Sequence, residues 1–524
     1  MTFTNNKKVN DLISAAPITA AVGLVTYGIY TAYRSHQQKK AIDAGYKEIP
    51  VPKGAVPYLG HLPMLAELPA IKITEWQKEL GPIIRIHMGQ KPWIVISDPF
   101  LAHEIFSSNG AVTSGRPFQN YAGKHHAINQ RGIAFPNADK RWKKTRTAAL
   151  DVLAPKNIQK FAPILEREAD FIVDHLLKVT EEKGSIDVVK PLQFATMNFL
   201  FVTCLGKRAT SVNDPMFTEV VSIVDRNMKM CGVAEDTAWF LPILSVLDVI
   251  LGKEAKQKAF IRDRRNPCFR RLIKEALERE GDSLVKNLYT LKDETNLLDD
   301  DGIMVTINEL IGAGADTTSG TLAWTFAILT HHPDVQAEII RELDAFISVH
   351  KRIPKFGERE ELPYLISVQK EAMRYRPPTH FGLMHESTED LECRGYFIPK
   401  GSILVSNMYA THKNETVYPE PEKFIPTRFL NNLKTMSAAA NSNIDTRDHY
   451  NFGWGRRICP GIHLAEIEMF NVLVRVFAYA TIEAPLNEKG EPQMCDLDAW
   501  GDAGLTMPPI DTTHRFVRRS SSLL

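Results

Sequence analysis

Cys459 stands in the stretch NFGWGRRICPGIHLAE, residues 451–466, close behind two arginines and directly before a Pro-Gly step. A cysteine so placed is core filler, a nucleophile or a metal ligand, and its neighbours help to separate the three. Phe452, Gly453, Gly455, Arg457, Cys459 and Gly461 fit the spacing F-x-x-G-x-R-x-C-x-G. Glycines let a backbone turn tightly and approach a flat partner. Pro460 suits the first position of a helix. Cys459 would then sit at a helix N-terminus, where the dipole and free N–H groups stabilise a thiolate. Such a thiolate can ligate a haem iron, lending electron density that favours O–O cleavage. Arg457 can pair with a haem propionate through charge-assisted hydrogen bonds.

Three other stretches carry chemistry only in company. INELIGAGADTTSGTLAWTFAILTHHP, residues 307–333, is mostly apolar and reads as a buried helix of about seven turns. Gly312 and Gly314 interrupt its middle, each costing roughly 1 kcal/mol relative to alanine. Asp316, Thr317 and Thr318 follow at once. One reading is close helix packing with a threonine bonded back to a carbonyl. The other is a groove that receives O2, where an acid and an alcohol hand over protons. In KEAMRYRPP, residues 370–378, Glu371 and Arg374 share a helix face, and PEKFIPTRF downstream offers Arg428. Alone the pair reads as a surface ion pair; with Arg428 it can form a buried cluster that pins the chain near the cysteine loop. In RWKKTR, residues 141–146, Trp142 and Arg146 lie one turn apart. They either belong to an amphipathic surface helix or both reach a second haem propionate.

These stretches need a large body to bring them together, and 524 residues with 44% apolar content supply one. A net charge of +1 gives no electrostatic case for nucleic acid as a partner. The six cysteines lie far apart with no C-x-x-C pair, which argues against a disulfide scaffold, a zinc ribbon and covalently attached haem. PIIRIHMG and KPWIVISD, residues 82–89 and 91–98, predict a hairpin, and 391–408 reads again as strands and turns. Long helical patterns dominate after about Arg141, so the body is mainly α with small β-sheets. Residues 435–448 read as a polar loop, the basic run 256–271 as solvated surface, and 516–524 as a mobile tail.

Leu12 to Tyr33 contains no charged residue and as a helix would span about 33 Å, enough to cross a bilayer. Residues 1–34 are therefore expected to form a single N-terminal transmembrane anchor, with Arg34, Lys39 and Lys40 favouring a cytosolic body. The proline-rich stretch 49–63 completes a stiff hinge over residues 35–63, with the catalytic domain over 64–515.

Taken in order, Trp142-x-x-x-Arg146, Gly-Ala-Asp316-Thr317-Thr318, Glu371-x-x-Arg374, Arg428 and the Cys459 loop resemble the cytochrome P450 family of haem-thiolate monooxygenases, over about residues 45–515. The N-terminus and the phrasing of the cysteine loop resemble fungal members of the endoplasmic reticulum. The resemblance implies a P450 fold preceded by one transmembrane helix, and haem b ligated by Cys459. It implies Asp316 and Thr317 as the proton-delivering pair, and Arg457, Trp142, Arg146 and His385 as propionate partners. Phe452 and Gly461 would lie against the cofactor, and Glu371, Arg374 and Arg428 would form a structural triad. It further implies NADPH–cytochrome P450 reductase as the electron source, cytochrome b5 as an accessory partner, and O2 as co-substrate. Arg141, Lys143 and Lys144 are either a face for an acidic reductase or simply solvated. The pocket is expected to be lined by Phe118, Tyr121, Leu310, Ala313, Phe381, Leu383 and Leu505. Such a lining suits a lipophilic substrate of the steroid, fatty acid, terpenoid or xenobiotic class. A haem-thiolate isomerase and a non-catalytic haem or lipid carrier are the rival readings; the Asp316-Thr317 pair argues against both.

Overall fold

Gly89 and Gln90 close the predicted hairpin: Gly89 has φ +56°, and a side chain there would come within 2.5 Å of the Phe240 carbonyl oxygen. In this computed structural model, residues 42–232, 235–245, 251–292 and 297–520 are described, with residues 28, 36, 39, 40 and 295 as isolated positions. The expected membrane span 12–33 lies outside the described residues, apart from Gly28. Among the described residues no helix is long and apolar enough to cross a membrane.

Nine strands are described: β1 (Ile83–Met88), β2 (Lys91–Ile96), β3 (Ile186–Asp187), β4 (His385–Glu386), β5 (Leu391–Cys393), β6 (Tyr396–Ile398), β7 (Ile403–Ser406), β8 (Ala480–Glu483) and β9 (Thr513–Arg518). They form a four-stranded sheet in the order β1-β2-β7-β4, a three-stranded sheet β3-β9-β8 and the ribbon β5-β6. β2 runs antiparallel to β1, with Ile83 opposite Ile96, and parallel to β7, with Trp93 opposite Ile403. β4 pairs with β7 and so fixes His385 opposite Leu404.

The rest is helical. The central helix, Asp300–Thr330, begins seven residues before the expected Ile307, because the Asp299 carboxylate accepts the Gly302 N–H at 2.8 Å and caps it. It is about 46 Å long at 1.5 Å per residue and is buried along most of its length. It packs against the helices Val189–Leu205, Pro215–Cys231, Pro363–Tyr375 and Ile462–Tyr479. The packing reading of Gly314 holds: a Cβ there would stand 2.6 Å from Leu200 Cδ1 on the neighbouring helix. Two large apolar clusters flank the central helix, one carrying Phe194, Phe217 and Phe269, the other Phe326, Phe470 and Phe477. Each such ring contributes roughly 1.5–3 kcal/mol of burial free energy.

Four expectations change. The hinge does not stand apart from the body: Lys47 donates to Gly395 O, Arg85 N–H to Pro50 O and His61 N–H to His87 O, each at 2.7 Å, so the strap is docked from residue 47. The loop 435–448 contains the short helix Met436–Ala440, because Met436, Ala439 and Ala440 bury apolar surface. Arg265, in the basic run, is fully buried and donates to His126 O at 2.6 Å. The tail begins later than residue 516, since Phe516 is buried within β9.

Candidate active site

The cysteine loop, Arg146 and Thr317 meet at one cavity of about 700 Å³ beside the central helix. Five of the six cysteines are buried and free; Cys459 alone is half-buried, and its thiol lines the cavity. The loop that carries it is held by Cys459 N–H donating to Phe452 O at 2.8 Å, while Gly461 N–H points at the sulfur at 3.4 Å. The helix itself starts only at Ile462, so Cys459 lies just ahead of its terminus. Burial therefore outweighs the Gly461 N–H and the Arg146 charge, and the thiol is raised above its ordinary value. A coordinated metal would favour the thiolate at this position.

Gly455 has φ +51°, and a Cβ there would fall 2.3 Å from the Phe106 carbonyl oxygen. Gly455→Ala is expected to cost about 1–3 kcal/mol through backbone strain and to lower haem content. Thermal unfolding and a haem assay check both. Gly453, at φ +73°, faces open space.

Three guanidiniums line the cavity: Arg116, Arg146 and Arg457. None has a carboxylate within 4.0 Å among the described residues; their bonds go to backbone carbonyls. Arg457 donates to Ser114 O at 2.8 Å and to Pro136 O at 2.6 Å. Arg116 donates to Ala134, Leu383 and Met384 carbonyls at 3.0, 2.8 and 2.7 Å, and Arg146 bonds Ile458 O. Burial, then the charges of Arg116 and Arg146, pushes Arg457 down to about 8, and burial pushes Arg116 to about 9. Buried cations without counter-ions mark a place for a dianionic group. Among the described residues no three His, Cys, Asp or Glu side chains cluster to hold a metal. A metal on Cys459 would thus take its other ligands from a macrocycle. Thiol, arginines and open glycine together fit haem.

Trp142 does not reach the cavity. Its Nε1–H donates to Ile133 O at 3.0 Å, and its ring lies 4.3 Å from the Arg457 guanidinium and 5.4 Å from that of Arg146. It is a platform for the two arginines through cation–π contact. His385 does line the cavity, its Nδ1–H donating to Thr113 O at 2.7 Å. Burial and the Arg116 charge lower it well below the usual histidine range, so the ring is neutral.

On the opposite wall, Thr317 faces the cavity with its hydroxyl donating to Ala313 O at 2.7 Å. Asp316 turns away. Its Oδ1 accepts from Gln193 Nε2 at 2.9 Å, and Gln193 also bonds the exposed Asp225 at 3.1 Å. Burial, with repulsion from Asp225, raises Asp316 to about 7. Leu310, Ala313, Phe381, Leu383 and Leu505 line the cavity. Phe118 is 48% exposed, and Tyr121 is buried in the core with its hydroxyl on Asn227 at 3.0 Å. Neither of these two expected pocket residues lies on the cavity wall: Tyr121 sits in the π-helical stretch Asn120–His126, which buries it in the core. Arg116 and Glu309, both on the cavity wall, escape sequence reading.

Glu371, Arg374 and Arg428 meet away from the cavity. Glu371 accepts from Arg374 at 2.7 and 2.8 Å, from Arg428 Nε at 3.0 Å and from Ile425 N–H at 2.9 Å.

The family model for cytochrome P450 matches residues 50–512. The chain belongs to the cytochrome P450 family. This P450 is 27% identical over 472 residues to cytochrome P450 monooxygenase 58 of Postia placenta, covering 88% of this chain and 86% of that one. It is 28% identical to a cytochrome P450 monooxygenase of Armillaria gallica, covering 88% of each. A zebra fish cytochrome P450 solved with abiraterone aligns with TM-score 0.70 and 25% identity, covering 86% of this chain and 100% of that one. The same holds for one solved with progesterone, at TM-score 0.73 and 24% identity. This P450 is thus an oxidoreductase of the monooxygenase family, which uses haem-thiolate and O2.

Proposed function

We propose that this P450 inserts one oxygen atom of O2 into a lipophilic substrate of the steroid, fatty acid, terpenoid or xenobiotic class. In this reading it draws electrons from NADPH through a reductase, with cytochrome b5 as an accessory donor. It is anchored in the endoplasmic reticulum membrane by residues 1–34, with its body in the cytosol. The observation that carries the chemistry is the placement of Cys459 and Thr317 on one cavity whose remaining walls are largely apolar. Haem, when bound there, supplies reductive activation of O2 and the oxidant for a C–H bond.

The chain's own groups divide the remaining work. Cys459 would ligate the haem iron, and Arg457, Arg146 and Arg116, with His385 beside them on the cavity wall, would hold its carboxylates. Leu310, Ala313, Phe381, Leu383 and Leu505 exclude water and place the substrate. Thr317 Oγ1 holds a proton at the cavity wall, and its bond to Ala313 O keeps that hydroxyl in position. Asp316, held near 7, can exchange a proton at neutral pH, and the Gln193 bridge links it to the exposed Asp225.

Thr317→Ala is expected to lower product formed per NADPH by about tenfold or more, since such groups contribute roughly 10²–10⁴-fold. Hydrogen peroxide should rise in compensation, and both are measured with reductase present. Unchanged coupling would remove Thr317 from the proton path. The substrate class is tested by optical titration of the haem-loaded chain with a panel of steroids, fatty acids, terpenoids and xenobiotics. A spectral shift from none of them would end the lipophile reading.

A further inference from the structure

Seven of the chain's 15 methionines line the cavity, although its wall is built from only about an eighth of the residues. Methionine is unbranched and has three rotatable side-chain bonds, so it fits itself to irregular shapes. The stiff β-branched aliphatics are nearly missing from the same wall: Ile133, Val224 and Val405 are its isoleucines and valines. Such a side chain is largely confined to one χ1 setting in a helix and is restricted elsewhere. The wall thus gathers the most adaptable apolar side chains and leaves out the least adaptable.

Met228, Met384 and Met507 are half-buried and pack against three separate apolar clusters, so they stand on different sides of the cavity. Their backbones are fixed. Met384 O accepts from Arg116 Nη1 at 2.7 Å. Met507 N–H donates to Pro378 O at 2.8 Å, and its carbonyl accepts from Trp324 Nε1 at 2.7 Å. At Met228 the backbone of Gly504, with φ +94°, comes so close that a Cβ there would stand 2.2 Å from the Met228 carbonyl oxygen. Met408 is less free. Its Sδ accepts the Thr379 hydroxyl at 3.6 Å, and its Cε fills room left by Gly382, where a Cβ would stand 3.1 Å away. A wall built this way changes shape by rotation of its thioethers while the backbone stays in place.

We propose that Met228, Met384 and Met507 set the specificity of this P450 by moulding the cavity to apolar substrates of unlike outline, so that flat, linear and branched lipophiles are accepted alike. This rests on the monooxygenase reading of the cavity. A wall that adapts through its side chains imposes no single outline. Affinity then follows the apolar area that the substrate buries rather than its shape.

The test is equilibrium dialysis of the haem-loaded full chain against three neutral ketones of nearly equal carbon number: androstanone, nonadecanone and a saturated branched isoprenoid ketone. The wild type is expected to bind all three within about tenfold of one another. Met228→Ile, Met384→Ile and Met507→Ile together should widen that spread by at least about tenfold, because isoleucine keeps the apolar volume but stiffens χ1. A wild-type spread beyond about tenfold, or a smaller widening in the triple variant, overturns the proposal. If the triple variant fails to load haem, the methionine methyl resonances of the reduced carbon-monoxide form of the wild type decide. Each ketone should shift the Met228, Met384 and Met507 signals in its own pattern, while amide hydrogen exchange at 378–384 and 505–507 stays the same. One common pattern, or backbone exchange that differs between ligands, overturns it. Binding of none of the three overturns it together with the lipophile reading. A normal carbon-monoxide spectrum with a wide wild-type spread rejects the adaptable wall alone, whereas an absent thiolate band rejects the underlying function.

Discussion

Replacing Glu371 with alanine should destabilise the fold by about 3–5 kcal/mol, the usual effect of removing one partner from a buried ion pair. Glu371 is fully buried, and Arg374 is 1% exposed. The carboxylate answers both arginines and the Ile425 N–H at once. Without it, two guanidiniums lie buried with only carbonyls to face. Arg374 also ties down the carbonyls of His412, Pro421 and Lys423 at 3.0, 2.8 and 2.9 Å. The loss should therefore spread into the 412–425 segment, whose His412 accepts the Tyr450 N–H at the entry to the cysteine loop, at 2.9 Å. Thermal unfolding of the haem-loaded protein should show the drop together with reduced haem retention. Glu371→Gln, which keeps the shape and loses the charge, should fall between the two. An alanine variant as stable as the wild type would mean the cluster does not pin the chain.

Cys459→Ser should abolish the strongly red-shifted Soret band of the reduced carbon-monoxide complex and lower monooxygenation by at least about 100-fold, since even changes one shell beyond a metal's ligands cost 10–100-fold. The substitution is isosteric, and serine leaves intact both the backbone bond from Cys459 N–H to Phe452 O and the close approach of Gly455 to Phe106. Folding is therefore expected to survive, and the difference spectrum reports ligation alone. Persistence of the band in the serine variant would remove Cys459 as the ligand.

Short-range spacing carried the readable part of the site. Cys459, Arg457 and Gly455 are within five residues, and the turn they make is a local property. Glu371 and Arg374 meet because a helix brings residues three apart together. Arg116 was not legible, because its partners Leu383 and Met384 lie more than 260 residues away. The same is true of Gln193, which meets Asp316 only where two helices cross. The direction of Asp316 is likewise a product of packing: nothing in the word Asp-Thr-Thr says which side of the helix finds a glutamine. The partner of the Trp142 indole N–H, the Ile133 carbonyl, is set by tertiary packing and not by the Trp-x-x-x-Arg spacing. The hairpin and the ribbon were readable from alternation and turns, whereas the start of the central helix depended on a cap at Asp299 that lies outside its apolar pattern.

The arginine trio also bears on how the polypeptide is made. A newly synthesised chain that closes around Arg116, Arg146 and Arg457 brings three like charges together on one buried wall. The prosthetic group is then a folding ligand as much as a reagent, stabilising the native state in proportion to its free concentration over its dissociation constant. Thermal stability of the chain should therefore rise with added haem and fall on its removal.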